Sequence, residues 1–238
     1  MKNILVPCDF SNPSQEAFRF ATDIATKSKG EVTVLHALFI PVLYDPSYGG
    51  GMPLGVDPTF LTDMEEDTKK RFEKMKGSLP GSIPKISLVI VKTDVLSAVK
   101  QIISSGKIDL IVMGTIGTTG LQEIFIGSTT EKVVRHSSVP VFVVRTAPKV
   151  TAIKKILLPT TLAFDQTNFI NKVKELQEFL HASLEVLLIN TPYYFMRDAD
   201  AKEALEEFAA HYKLSNYNLH FRNYRNEEEG ITDFSNEV

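Results

Sequence analysis

The sequence predicts an α/β protein built on a parallel sheet covered by helices on both faces. Two observations predict it. Short apolar or β-branched runs alternate with stretches of helical periodicity along the first 146 residues, the pattern of successive βαβ units. The chain also repeats itself, because KKILLPTT from Lys154 echoes KNILVPCD from Lys2, 152 residues earlier. With 238 residues and 43% hydrophobic composition, there is enough material for one large domain or two modest ones.

The elements follow in order. NILVPCD, from Asn3, is a short apolar run closed by proline and reads as a buried strand whose carboxyl end lies near Pro7. Asn12-Pro13-Ser14 offers cap and first-turn chemistry. Ala17, Phe20, Ala21, Ile24 and Ala25 then recur at helical spacing, and Gly30 is expected to stop the helix. EVTVLHA is the second strand. Residues 39 to about 61 contain YDPSYGGGMPLGVDP, too rich in Gly and Pro for a regular element, and read as a loop. Residues 64–75 form a charged amphipathic helix, followed by the strand ISLVIVKTD, the helix VLSAVKQII, the strand IDLIVMG and a fifth strand, VPVFVVR.

The repeat extends beyond its first match. Without a gap, residues 169–180 fall against 17–28, and LEVLLI from Leu184 falls against VTVLHA from Val32. The offset then drifts, but AKEALEEFAAHY is again a helix and YNLHFRNYR again a third strand. Ile231, Phe234 and Val238 match Leu96, Val99 and Ile103. The expected domains are 1–147 and 153–238, the second an incomplete copy without counterparts of the fourth strand, the glycine stretch and the fifth strand.

Charge narrows the function classes. Lys plus Arg number 26 against 29 Asp plus Glu, for a net charge of -3, so no basic surplus points to nucleic acid or an anionic membrane. One cysteine, Cys8, cannot form an internal disulfide and fits a reducing compartment, with cytoplasm as the expectation. The opening MKNILVPCDF is too short an apolar run for a signal peptide or a membrane span.

The candidate site lies in MGTIGTTGLQEIFIGSTTEKVVRH, from Met113 to His136. Neither a P-loop nor a Gly-x-Gly-x-x-Gly after the first strand is present. Instead Gly114-x-x-Gly117 follows the fourth strand and, nine residues on, Gly127-Ser128 opens a helix. Glycines admit a ligand close to the backbone, and free amides at a helix N-terminus favour phosphate. Ser128-Thr-Thr-Glu131 also reads as a capping box that starts the helix with no ligand; local chemistry does not separate the two readings. Asp9 reads locally as a cap for the following helix and Cys8 as a small buried residue. His36, His136, His181, His211 and His220 show no metal-ligand spacing, so no metal site is assigned. Glu227-Glu228-Glu229 reads as a solvated turn, and the Gly49-Gly50-Gly51 loop, with Tyr44, Tyr48 and Phe60, as a surface connection.

Taken together, Gly-x2-Gly-x9-Gly-Ser after the fourth strand, the Asp of VPCD and the closing HSSVPVFVV resemble the ATP-binding branch of the universal stress protein family. The resemblance covers residues 1 to about 146 as a whole domain and 154–238 as a partial one, a tandem arrangement. It implies an adenine nucleotide alpha hydrolase-like fold, an open five-stranded parallel sheet of order 3-2-1-4-5, with strands one and four adjacent at the switch point. It further implies that Pro7 and Asp9 line the adenosine part of the site and that Ala37 meets adenine through its backbone. Met113, Gly114 and Gly117 would pack along ribose and phosphates, while Gly127, Ser128 and Thr129 hold the phosphates. The implied cofactor is ATP, or AMP or ADP, with Mg²⁺ carried by the nucleotide. Ile116 and Thr118 stand where relatives often have a cation, and Thr161 stands where the repeat requires the counterpart of Asp9; the second copy is expected to bind no nucleotide. The implied function is regulatory nucleotide binding in stress response, with a homodimer formed through the fifth strand. The alternatives are a ligand-independent dimerising module and a slow ATPase.

Overall fold

The computed structural model describes residues 1–38, 58–81, 83–115 and 127–238. The chain divides into two compact units, Met1–Lys149 and Val150–Val238. Gly117, Ile116, Thr118 and the Gly49-Gly50-Gly51 loop lie outside the described residues.

The first unit runs β1 (Asn3–Pro7), α1 (Asn12–Ser28), β2 (Glu31–Ala37), α2 (Pro58–Gly77), β3 (Lys85–Val91), α3 (Val95–Ser104), β4 (Leu110–Gly114), α4 (Ser128–His136) and β5 (Val141–Val144). Its sheet has the order β3-β2-β1-β4-β5, and every pair is parallel. β1 is central, with β2 on one side and β4 on the other. Neighbours on both edges and both faces explain why Ile4, Leu5 and Val6 are fully buried, each contributing about 1.5–3 kcal/mol of apolar burial. On one face, α3 and α4 bring Ala98, Val99 and Val133 onto Leu5, Leu35, Ile111 and Met113.

Several local expectations change. Gly30 does not stop α1: the left-handed C-cap is Lys29, at φ 53°. Gly30 is needed because a Cβ there would lie 2.1 Å from the Lys2 carbonyl oxygen. α2 begins at Pro58 and spans 20 residues, so residues 58–61 are helical and not part of the preceding loop. Phe60 is therefore a helical residue, 46% exposed.

The second unit contains β6 (Lys155–Pro159), α5 (Thr167–Leu180), β7 (Ser183–Asn190), α6 (Asp198–His211), β8 (Tyr217–Asn223) and α7 (Glu227–Glu237). Its parallel sheet has the order β6-β7-β8. The register reproduces that of the first unit at the same offset, since Asn3 pairs with Glu31 and Lys155 with Ser183. The Cys8 N–H donates to the Leu35 carbonyl, and the Thr160 N–H to the Leu187 carbonyl, both at 2.9 Å. Leu184, Val186, Ile170, Leu205 and Phe208 pack on one face, while Phe234 of α7 covers Leu187 and Ile189 on the other. The three glutamates 227–229 are exposed, as a solvated segment requires, but they form the first turn of α7. Asn226 caps that helix by accepting from the Glu229 N–H at 2.9 Å, and acidic side chains suit the positive end of the helix dipole.

Beneath α7, Glu185 is buried on the sheet with three partners. It accepts from the Ser183 hydroxyl at 2.8 Å and from the Asn218 amide at 3.1 Å, and it lies 2.7 Å from His220 Nε2. Burial pushes its carboxyl up, but bonds from His220, Ser183 and Asn218 outweigh burial and hold it below the usual carboxylate range. Among the described residues, no helix is long and apolar enough to cross a membrane.

Candidate functional site

The carboxyl ends of β1, β2 and β4 meet at one end of the first sheet, where α1 and α4 begin. β1 ends at Pro7, which pairs with Leu35, so β2 projects beyond it through His36 and Ala37. Alternation along β2 fixes which way the projecting backbone faces. The Leu35 carbonyl serves Cys8 on the β1 side, and the Leu38 N–H serves Val91 on the β3 side. The N–H and C=O of Ala37 therefore turn to the β1 side, past the end of that strand. His36 Nδ1 lies 2.7 Å from the Cys8 carbonyl, and its ring is 5.0 Å from that of Phe10. These two rings were not legible as site neighbours, because only the β1–β2 register brings them together.

Asp9 stands exposed in the β1–α1 turn. Its Oδ1 accepts from the Ser11 N–H at 3.0 Å and from the Ser11 hydroxyl at 2.6 Å. Burial acts to raise its carboxyl, but these bonds and Ser14 prevail and hold it below the ordinary aspartate value. The N-cap of α1 is Ser11, so Asp9 braces the turn before the helix and does not cap the helix itself. Phe10 takes a left-handed backbone, φ 63°, to make this turn. Cys8 is buried, with its sulfur 3.4 Å from the Ser14 hydroxyl and 3.9 Å from Met75 Sδ, and burial pushes its thiol up.

At the end of β4, Met113 is 5% exposed and belongs to the core. Gly114 owes its lack of a side chain to α1: a Cβ there would lie 2.3 Å from the Pro13 carbonyl carbon and oxygen. The close approach is to protein backbone, which the ligand-based reading of this glycine did not foresee. Gly127 has open space around it.

The predicted capping box is absent. Gly127 is the N-cap of α4, without a side-chain cap, and Glu131 instead accepts from Arg135 Nε at 2.9 Å. The first turn is tied to β4 by the Thr130 hydroxyl, which donates to the Gly114 carbonyl at 3.1 Å. The first intrahelical bond runs from the Glu131 N–H to the Gly127 carbonyl. The amides of Ser128 and Thr129 thus have no intrahelical acceptor, and both side chains are exposed. The structure brings Pro7, Asp9, Ala37, Met113, Gly114, Gly127, Ser128 and Thr129 to one end of one sheet. Free amides and a helix dipole at that end form a place suited to an anion. Among the described residues, no group of three or more His, Cys, Asp and Glu side chains is placed to hold a metal.

Comparison with known proteins bears on this arrangement. A family model described as the universal stress protein family matches residues 1–145. A universal stress protein of Methanocaldococcus jannaschii is 30% identical over 149 residues, which cover 62% of this chain and 84% of that relative. A universal stress protein of Thermus aquaticus is 31% identical over 150 residues, 60% of this chain and 98% of its own. Among solved structures, a universal stress protein from Archaeoglobus fulgidus superposes with a TM-score of 0.67 at 16% identity. It covers 99% of this chain and 83% of its own, a likeness of fold.

Proposed function

The chain belongs to the universal stress protein family, and on that premise we propose that its first unit binds an adenine nucleotide, ATP, ADP or AMP, and serves as a regulatory binding protein in the stress response. The observation that carries this reading is the meeting of Asp9, the outward backbone of Ala37 and the free N-terminus of α4 at the carboxyl ends of β1, β2 and β4. That is where open α/β sheets take ligands. In this reading Ala37 offers a backbone donor and acceptor to the adenine edge, and Asp9 accepts from a ribose hydroxyl. Gly127, Ser128 and Thr129 receive the phosphates, joined by Gly117 from the intervening stretch. Mg²⁺ arrives on the nucleotide. We place the protein in the cytoplasm and read the second unit as a partial second copy of the same domain.

Binding, and not turnover, is the proposed output. Phosphoryl transfer requires cationic stabilisation of developing charge, and the sequence from Gly114 to Ser128 holds no Lys or Arg. Calorimetry of the intact chain with ATP, AMP and GTP tests the proposal. Saturable one-to-one binding of an adenine nucleotide is expected, weakened about tenfold or more by Asp9→Ala, the scale of one lost hydrogen bond to a charged group. Absence of adenine-nucleotide binding by the intact chain overturns it.

A second reading has its own observation. β5 is one of the two edge strands of the first sheet, and its Val141, Phe142 and Val143 are only half-buried. An apolar edge invites pairing with another chain, so association into a homodimer through β5 is compatible with nucleotide binding and separable from it. Bulky substitutions at Gly127 and Ser128 should remove nucleotide binding and leave the mass in light scattering unchanged. A monomeric mass for the native chain removes this second reading.

A further inference from the structure

We propose that the second unit carries a ligand site of its own, for an uncharged, apolar small molecule with aromatic rings and not for a nucleotide. The inference rests on the geometry of that unit and is independent of nucleotide binding by the first. A cavity of about 1000 Å³ opens at the carboxyl ends of β6 and β7. Register explains its position: Pro159 pairs with Leu187, and β7 runs on through Leu188, Ile189 and Asn190 with no β6 residue beside them. By the 152-residue repeat, this crevice is the counterpart of the one above β1 and β2.

The walls of this crevice have a different chemistry. Thr161 stands where the first unit has Asp9. Phe169, Tyr194 and Phe195 line the cavity and are 54%, 69% and 71% exposed. Leu162, Ile189 and Ile231 add aliphatic surface. Among the described lining residues, the charged one is Glu227, and no Lys or Arg joins it. The first-unit site also pairs one carboxylate with no Lys or Arg, but there the helix N-terminus that faces the ligand opens with Ser128 and Thr129. Here the carboxylate of Glu227 occupies the first turn of α7 at the cavity wall and opposes a phosphate. Three rings open to water instead favour a partner that covers them, by apolar burial and by ring stacking.

Two polar side chains of the wall, Asn190 and Thr160, are committed to the protein. The Asn190 carboxamide accepts from the Met196 N–H at 2.7 Å and donates to Asn223 Oδ1 at 2.6 Å. The Thr160 hydroxyl accepts from the Leu162 N–H at 2.9 Å. The Asn190–Met196 bond holds the chain that carries Tyr194 and Phe195 against the end of β7, so the rings are presented on a fixed support. Recognition rests mainly on shape and apolar contact, with Thr161, Gln166 and the Tyr194 hydroxyl placed to add a hydrogen bond, and the volume falls at the upper end of the range for drug-sized ligands, roughly 300–1,000 Å³.

The test uses the intact chain and Nile red, a neutral aromatic dye, with anionic anilinonaphthalene sulfonate for comparison. One saturable Nile red site per chain is expected, with blue-shifted emission and weaker binding of the anionic dye. Phe169→Ser combined with Phe195→Ser should weaken Nile red at least tenfold while circular dichroism and melting stay unchanged, because both positions are exposed. The control Tyr217→Ser, outside the cavity, should leave binding intact, and saturating ATP should not compete. The proposal is overturned by absence of saturable dye binding, by equal affinity in the double variant, or by ATP competition. It is overturned equally if light scattering shows a native dimer that the double variant dissociates, which assigns this face to a second copy of the chain.

Discussion

Lys29 and His181, 152 residues apart, close α1 and α5 with the same left-handed backbone, φ 53° and 55°. Each cap N–H reaches back to two carbonyls of the last turn, Ala25 and Thr26 in one case and Gln177 and Glu178 in the other. Phe10 and Leu162 form a second such pair at the same offset, φ 63° and 61°. The repeat visible in the sequence is therefore a repeat of backbone conformation, down to residues that an L-amino acid adopts at a cost.

That cost yields a prediction. Glycine is the usual residue at a left-handed helix end, and both Lys29 and His181 are exposed, so little packing is lost on replacing them. Lys29→Gly and His181→Gly should each stabilise the protein by about 0.5–1 kcal/mol, the relief of left-handed strain less the added freedom of the unfolded chain. Urea unfolding should show the gain as a higher midpoint in the transition of the unit concerned.

The two glycines that flank the candidate site should behave oppositely. Gly114→Ala places a Cβ against the Pro13 backbone, which cannot move without shifting α1, and should destabilise by about 1–3 kcal/mol or more. Gly127→Ala enters open space and should cost under about 1 kcal/mol as a weaker cap. Thermal melting of the two variants separates a structural glycine from one free to serve a ligand.

Charge at the start of α4 offers a further test. Ser128→Asp puts a carboxylate where the proposed phosphate lies, so the empty protein should gain about 0.3–1 kcal/mol from the helix dipole. Adenine-nucleotide affinity should fall at least tenfold in the same variant. Melting without ligand and calorimetry with ATP read the two effects separately, and a carboxylate that left affinity unchanged would remove α4 from the site.

Two carboxylates predict the acid limb of stability. Asp9 and Glu185 both lie below their ordinary values in the folded chain, taken as about 3.9 and 4.3 when unfolded. The stability each contributes is complete above those unfolded values and is lost as pH falls through the lower folded ones. Asp9→Asn and Glu185→Gln should each flatten the fall in melting temperature below about pH 4 and leave the curve near neutrality parallel to that of the native chain.

The sequence was informative wherever the controlling physics is local. Apolar runs such as NILVP and LIVMG had to be buried strands, because a run with no polar alternation needs neighbours on both faces. Their carboxyl ends carried Pro7, Asp9 and Gly114 to one end of the sheet. The same reasoning erred where two signals competed in one turn. Gly30 looked like a helix stop, and Ser128 with Glu131 looked like a capping box; the structure gives the first role to Lys29 and the N-cap to Gly127.

By itself, then, the sequence determined the alternation of strands and helices, the 152-residue repeat and the family, since periodicity and motif spacing are properties of the chain read in one dimension. Only the tertiary structure decided why Gly114 must be glycine, how Glu185 meets His220 across the β7–β8 register, and which walls surround the crevice above β6. Each of those depends on which distant backbone comes within a few ångströms. Packing sets that distance, and no local pattern encodes it.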